Sequence, residues 1–284
     1  MKREFSFSRS FFVVLFISLI FIANLSVGYG STNWPMSHKG VSIKGMGFDS
    51  EEGVVNLWGT TSHEKIKILI KYKDINKWLE VELQEGKFNE RFWLTEGKGS
   101  YEIIMMIHKE DRKYSYGPRL NIENEADVNP FLVPITHIES DNEDIIEMAT
   151  TITQHFNNDT DKAKAIFNWV TGNIKYDYDK YHDQLNSNYN HQYGALNTLK
   201  TKTGVCYDFA TLTAALGRGI GLQVKVVEGL GVTDEFSGLH AWNEVYISEE
   251  NRWISLDTTF SALSSKDWFD NQDFNDYHVK SKEY

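Results

Sequence analysis

The 284-residue chain contains a single cysteine, only four prolines and no concentrated stretch of basic residues. One cysteine excludes an internal disulfide, and the low proline and glycine content excludes a collagen-like or low-complexity chain. Forty acidic against 29 basic side chains give a formal net charge of −11. Because no segment gathers enough Lys and Arg to bind a phosphate backbone, we expect no nucleic-acid partner.

The first 30 residues have the pattern of a targeting segment. Three basic residues come first, a mostly apolar run follows at 11–25, and small residues stand at positions 28, 30 and 31. We therefore predict a signal peptide over 1–30 and a secreted or cell-envelope protein with no stable membrane association after cleavage. The alternative is a membrane anchor formed by an uncleaved signal, although the run is shorter than the roughly 20 residues that span a bilayer.

The neighbours of Cys206 suggest a reactive thiol. Gly204 marks a turn, and the small and apolar residues at 209–216 predict a buried helix, so Cys206 lies at a helix N-terminus. The positive end of the helix dipole and the free N–H groups favour a thiolate there and could also bind an oxyanion. The other interpretation is a small buried apolar residue, which is the role of most free cysteines.

His240 and Asp257 are candidate partners for that thiol. Extended runs at 223–228, 240–247 and 252–256 predict an antiparallel meander in which His240 opens the second strand and Asp257 ends the third. Side chains at the ends of adjacent strands can meet, so Asp257 could orient His240 toward Cys206. Taken singly, such a histidine is more often structural, and an aspartate before two threonines is more often a turn or a cap.

Three motifs together resemble the transglutaminase-like superfamily over residues 161 to 260. They read GVCYDFA at 204–210, HAWNEV at 240–245 and WISLDTT at 253–259. The resemblance implies an α+β fold with a papain-like, transglutaminase-like core, in which a helix bearing the cysteine packs on an antiparallel sheet. Tyr207 after the cysteine and Thr258 after the aspartate depart from the usual Trp and Pro, which indicates a bacterial branch.

The resemblance also implies roles and a reaction. Cys206 would be the nucleophile, His240 the general base and then acid, and Asp257 the orienting carboxylate, with acyl transfer from a protein or peptide amide through a thioester on Cys206. The alternatives are a cysteine peptidase or amidase, in which water is the acceptor, and a non-catalytic cell-wall-binding module. The expected partner is a protein or peptide substrate, including one in the cell wall. No cofactor or metal is expected, and the oligomeric state is left open.

Beside the backbone N–H of Cys206, the resemblance implies a side-chain oxyanion donor upstream of the cysteine. Tyr176 is the first candidate, and Gln192 and Tyr193 are the alternatives. A purely structural role for Tyr176, as an aromatic side chain that packs the start of a loop, is supported equally well by the sequence. The polar segment 177–193 is predicted to be a loop that forms one wall of the substrate cleft.

The rest of the chain divides into two predicted domains. Strand-like runs separated by turns predict an immunoglobulin-like β-sandwich over 31–125, followed by a catalytic domain over 126–284. In the latter, helices are predicted near 140–156 and 161–174, the first with a capping box formed by Ser140 and Glu143. The aromatic-rich tail at 261–284 is expected to pack back onto the catalytic domain.

Overall fold

The computed structural model describes residues 34–233 and 236–284. The signal peptide predicted over 1–30 lies outside these residues. Among the residues described, no helix is both long enough and apolar enough to span a membrane.

The segment 34–124 folds into two antiparallel sheets that pack face to face. The strands are β1 (Met36–His38), β2 (Val41–Asp49), β3 (Val54–Thr61), β4 (Ile66–Tyr72), β5 (Ile75–Glu80), β6 (Lys87–Trp93), β7 (Gly99–Glu110) and β8 (Lys113–Asn124). Their orders are β1-β2-β3-β6 and β5-β4-β7-β8. Apolar side chains from both sheets, such as Leu57 and Ile103, form one buried core, which is the small β-sandwich that the sequence predicts.

The remaining residues form a mixed helical and antiparallel region. Its elements are α1 (Glu143–Thr153), α2 (Asp159–Asn173), β9 (Lys175–Tyr176), α3 (Tyr178–Leu185), α4 (Ala195–Thr201), β10 (Thr203–Gly204), α5 (Cys206–Gly219), β11 (Val224–Val232), β12 (Ser237–Ile247), β13 (Arg252–Leu256), α6 (Thr258–Leu263), α7 (Phe274–Tyr277) and β14 (His278–Glu283). Its core shares no buried residue with that of the sandwich. We propose that the two regions are separate domains, as the sequence suggests.

Helix α5 is the centre of the second region. Every residue from Asp208 to Arg218 is buried, and small side chains such as Ala210 let the helix lie close to the sheet. The buried Asn243 of β12 donates its side-chain amide to the carbonyl oxygen of Ala210 at 2.9 Å and to that of Lys225 at 3.0 Å. These hydrogen bonds fix the helix against the sheet, so the first turn of α5 has a defined position relative to β12.

The sheet contains one strand more than the predicted meander. Strands β11, β12 and β13 pair in succession, and β14 adds to the free edge of β11 to give the order β13-β12-β11-β14. Of the six residues of β14, only His278 is buried. Because the exposed residues of β14 do not alternate between apolar and polar, the sequence lacks the two-residue period that predicts a strand.

Two local predictions were wrong. Helix α1 is capped by Asn142, whose side chain accepts a hydrogen bond from the backbone N–H of Asp144, and not by Ser140. Asparagine is as good a cap as serine, and it stands nearer to the apolar positions of the helix. The predicted loop at 177–193 contains α3, which begins because the Asp177 carboxylate accepts a hydrogen bond from the backbone N–H of Lys180 at 2.9 Å.

Candidate active site

Cys206 is the first residue of α5 and is partly exposed. The carboxylate of Asp208 accepts the backbone N–H of Val205 at 2.9 Å, which fixes the start of the helix just before the cysteine. Gly204 makes this turn possible, since a Cβ there would lie 2.5 Å from the Cβ of Asp208. The thiol therefore lies at the open end of an otherwise buried helix, next to backbone N–H groups that have no partner within the helix.

His240 and Asp257 lie in direct contact. The His240 Nε2 and Asp257 Oδ2 atoms are 2.6 Å apart, and both side chains are almost fully buried. His240 lies within β12 opposite Gly229 of β11 and does not open its strand as predicted, because β12 begins earlier, at Ser237. Asp257 follows directly after β13, where the sequence places it.

Asp257 is both a helix cap and a partner of the histidine. Its Oδ1 atom accepts the backbone N–H groups of Thr259 and Phe260, each at 2.9 Å, while Oδ2 faces His240. The two interpretations that the sequence left open for this residue are therefore compatible. The cap at the start of α6 holds the carboxylate rigid, and that carboxylate can in turn orient the imidazole.

The His240 ring packs against aromatic side chains and lies near the cysteine. Phe260 stacks on it with ring centroids 4.1 Å apart, and Trp242 lies parallel to it at 6.2 Å. Nε2 is bound to Asp257, which leaves Nδ1 as the second ring nitrogen, and Cys206 is near enough to the ring to raise the pKa of His240. The structure thus brings Cys206, His240 and Asp257 together in that order.

The charges in this cluster favour an ionised histidine and an ionised aspartate. Burial alone would lower the pKa of His240, but the charge and hydrogen bond of Asp257 and the contact with Cys206 raise it to about 10. Burial alone would raise the pKa of Asp257, yet His240 and a second histidine, His278, hold it well below its ordinary value of 3.8. An imidazolium beside Cys206 stabilises a thiolate, which is the form of cysteine that attacks a carbonyl.

Tyr176 lies beside the cysteine. Strand β9 pairs in parallel with β10, so that Tyr176 stands opposite Gly204, two residues before Cys206. Burial raises the pKa of the Tyr176 phenol well above its ordinary value, and the charge of Cys206 adds to that shift. The phenol therefore stays protonated and can donate a hydrogen bond near the thiol, as an oxyanion donor must.

The alternative oxyanion candidates have other contacts. The backbone carbonyl oxygen of Gln192 accepts a hydrogen bond of 2.7 Å from the Lys180 ammonium. That ammonium also lies 3.9 Å from the centre of the Tyr193 ring. The Tyr193 hydroxyl accepts a hydrogen bond from the Gln184 side chain at 3.1 Å. These contacts attach the segment after α3, which contains Gln192 and Tyr193, to α3 itself.

His278 is a member of the cluster that the sequence analysis did not identify. Its Nε2 atom lies 2.9 Å from Asp257 Oδ2, and its side chain is buried. His240, Asp257 and His278 are residue types that bind transition metals, and their ligand atoms lie within 4.8 Å of one another. In the structure, however, each imidazole is paired with the carboxylate through a hydrogen bond, a short one of 2.6 Å for His240 and one of 2.9 Å for His278.

Comparison with known proteins tests the family resemblance. Residues 146–258 match the model of the Transglutaminase-like superfamily, which confirms the resemblance for that segment. Kyphoscoliosis peptidase from Mus musculus is 27% identical over 124 residues, which is 41% of this chain and 18% of that protein. UPF0252 protein MJ1282 from Methanocaldococcus jannaschii is 48% identical over 61 residues, which is 20% of this chain and 17% of that protein. The chain thus matches less than a fifth of the length of either relative.

Among solved structures, a provisionally assigned cysteine protease from Cytophaga hutchinsonii is similar along most of the chain. It is 20% identical, with a TM-score of 0.44, and the match covers 83% of this chain and 78% of that one.

Proposed function

We propose that the protein is an exported cysteine acyltransferase that acts on protein or peptide amides through a thioester on Cys206. The observation that carries this proposal is the buried hydrogen bond of 2.6 Å between Asp257 and His240, on an imidazole that also contacts Cys206. Nucleophile, base and orienting carboxylate in one chain of contacts are what thiol-based acyl transfer requires.

The first half-reaction forms the thioester. The Cys206 thiolate attacks the carbonyl carbon of the amide, so that an S–C bond forms and the carbonyl π electrons move to oxygen. The backbone N–H of Cys206 and the Tyr176 hydroxyl donate to this oxyanion. As the oxyanion collapses, the C–N bond breaks and the His240 imidazolium gives its proton to the leaving nitrogen, which departs as ammonia or an amine.

The second half-reaction regenerates the Cys206 thiolate and the His240 imidazolium. An acceptor amine loses a proton to the now neutral His240 as its nitrogen attacks the thioester carbonyl, and the C–S bond breaks to give a new amide and the Cys206 thiolate. If water attacks instead, the product is a carboxylic acid and the protein is a peptidase or amidase. The Kyphoscoliosis peptidase match supports keeping this second candidate, because its name describes a hydrolase.

A mass measurement separates transfer from hydrolysis. The purified protein is incubated with a glutamine-containing peptide and a primary amine, and the mass of the peptide is then measured by mass spectrometry. Transfer adds the amine with loss of ammonia, whereas hydrolysis replaces ammonia with water. The matched control is Cys206→Ala, which keeps the fold and lacks the nucleophile.

Peptides from cell-wall material extend the same test to the expected substrate class. If neither product forms from any donor, and Cys206→Ala binds wall material as well as the wild type does, the acyltransferase proposal fails and the protein is a wall-binding module.

Export is part of the proposal and rests on the pattern of residues 1–30. The net charge of −11 disfavours binding of the protein to anionic lipid surfaces, because like charges repel. N-terminal sequencing of the protein recovered from the medium and from the cell envelope tests this. A new N-terminus near residue 31 supports export with cleavage, an intact N-terminus in the membrane fraction supports the uncleaved anchor, and recovery from the cytoplasm alone contradicts both.

A further inference from the structure

The Asp257 carboxylate accepts four hydrogen bonds. One oxygen takes the two backbone N–H groups at the start of α6, and the other takes two imidazoles, His240 at 2.6 Å and His278 at 2.9 Å. A carboxylate has about four lone-pair sites, so all of them are in use. A simple triad needs only the contact with His240, and therefore the contact with His278 calls for its own explanation.

The contact of the second ring nitrogen of His278 shows which atom donates in the hydrogen bond between His278 and Asp257. Its Nδ1 atom lies 2.9 Å from the backbone carbonyl oxygen of Phe274. A carbonyl oxygen only accepts, so Nδ1 must carry a hydrogen. An ionised carboxylate also only accepts, so with Asp257 ionised Nε2 must carry a hydrogen as well. His278 is then an imidazolium that donates to Asp257 on one side and to the chain on the other.

The surroundings of His278 fix its ring in this position. Phe274 stacks on it with ring centroids 3.9 Å apart, and Trp242 and Trp268 meet it edge-on at 4.9 and 5.4 Å. The titratable groups that face it are Asp257 and the His240 ring, whose centre is 5.8 Å away. His278 also begins β14, where it is paired with Gly231 of β11, so the backbone that carries it belongs to the same sheet as His240.

We propose that His278 is a positioning residue for the reaction: it donates a hydrogen bond from Nε2 to Asp257 and so keeps that carboxylate aimed at His240. The inference rests on the proposed function, because it assigns a task within that mechanism. His278 would act through its contact with Asp257.

Alkylation of Cys206 tests this without a known substrate. Iodoacetamide reacts with thiolate, and the chain has no other cysteine, so mass spectrometry follows a single site across pH. We compare the wild type with His278→Phe, which keeps the ring but donates nothing, and with His278→Gln, whose amide can still donate to Asp257. The control is Val279→Ala, an exposed neighbour on the same strand.

We expect His278→Phe to lower the rate at pH 6 about tenfold, since one charge-assisted hydrogen bond is lost. His278→Gln should stay within about threefold of the wild-type rate, because its amide retains a donor to Asp257. Val279→Ala should react at the wild-type rate. A normal rate in His278→Phe overturns the inference, as does a rate in His278→Gln as low as in His278→Phe. If His240→Ala is slow while both His278 variants are normal, the proposed mechanism stands and only this inference fails. If His240→Ala is normal too, the mechanism fails first.

A measurement on the unaltered protein covers the case in which His278→Phe does not fold. In protein labelled with ¹⁵N-histidine, the ring signals of His278, assigned with His278→Gln, should show a hydrogen on Nε2 at pH 6, the pH of the alkylation assay. A His278 Nε2 atom without a hydrogen would overturn the inference.

Discussion

Lys180 and Asp208 form an ion pair of 2.7 Å that is buried at the first turn of α5. The same Asp208 carboxylate accepts the backbone N–H groups of Gly194 at 3.2 Å and Val205 at 2.9 Å. One side chain therefore joins α3, the start of α4 and the turn that precedes Cys206. This explains how the polar segment after α3 is attached to the site even though it has few apolar side chains.

Replacement of Lys180 by methionine should destabilise the protein strongly. The change leaves the Asp208 charge buried without its partner, which costs about 3–5 kcal/mol. Urea denaturation measures this against Lys113→Met, which breaks the exposed pair between Lys113 and Glu110 and should cost no more than about 0.5 kcal/mol. Equal midpoints for the two variants would contradict the prediction.

Substitution of Gly204 by alanine should be costly for a steric reason. The new Cβ would lie 2.5 Å from Asp208, so the turn before Cys206 must shift, at about 1–3 kcal/mol. Gly172 is the matched control, because it lies in α2 with nothing within 4 Å of a Cβ, and alanine there should stabilise by about 0.5–1 kcal/mol. Thermal unfolding of the two variants should therefore shift in opposite directions, and a shift in the same direction would count against this account.

The stability of the protein should depend on pH through His240. The pKa of this group rises from its ordinary value of 6.5 to about 10 on folding, so its contribution is fully present below pH 6.5 and is lost as the pH rises through 10. The free energy of unfolding of the wild type should accordingly approach that of His240→Gln between pH 7 and 10. A constant difference between the two proteins over this range would show that His240 does not titrate as described.

Asp257 should act in the opposite direction at acid pH. Its pKa is lowered on folding, so the stability that it contributes is present above its ordinary value of 3.8 and is lost as the pH falls below that value. Asp257→Asn should therefore be less stable than the wild type at pH 6, and the gap should narrow on acidification. Urea titrations at pH 6 and pH 3 measure it, and a gap that widens at pH 3 would contradict the assignment.

Loss of the Tyr176 hydroxyl should slow the acyl transfer step. If this hydroxyl donates to the oxyanion, Tyr176→Phe should lower kcat about 10²-fold with little change in KM. Tyr189→Phe, at an exposed position, is the control. An equal loss in both variants, or a change confined to KM, would leave the backbone N–H of Cys206 as the donor and remove Tyr176 from the mechanism.

Much of the site could be predicted because its signals are local. A glycine, a cysteine and a run of small apolar residues within a few positions predict the start of α5, and runs of extended character, the first of them rich in valine, predict β11 to β13. The exact strand bounds were less accurate, because the start of β12 is set by its pairing with β11. Helix α3 was missed because its residues are mostly polar, and its cap at Asp177 was the only local signal.

The sequence by itself determined that Cys206 lies at a helix N-terminus and that His240 and Asp257 lie on or directly after neighbouring strands, because helix and strand periods and turn residues act over short distances. Only the tertiary structure decided that His278 belongs to the same cluster. It reaches Asp257 because β14 returns to pair with β11, an arrangement set by backbone hydrogen bonds and by aromatic packing around α7. A polar edge strand carries no apolar alternation, so this contact exists only once the chain has folded.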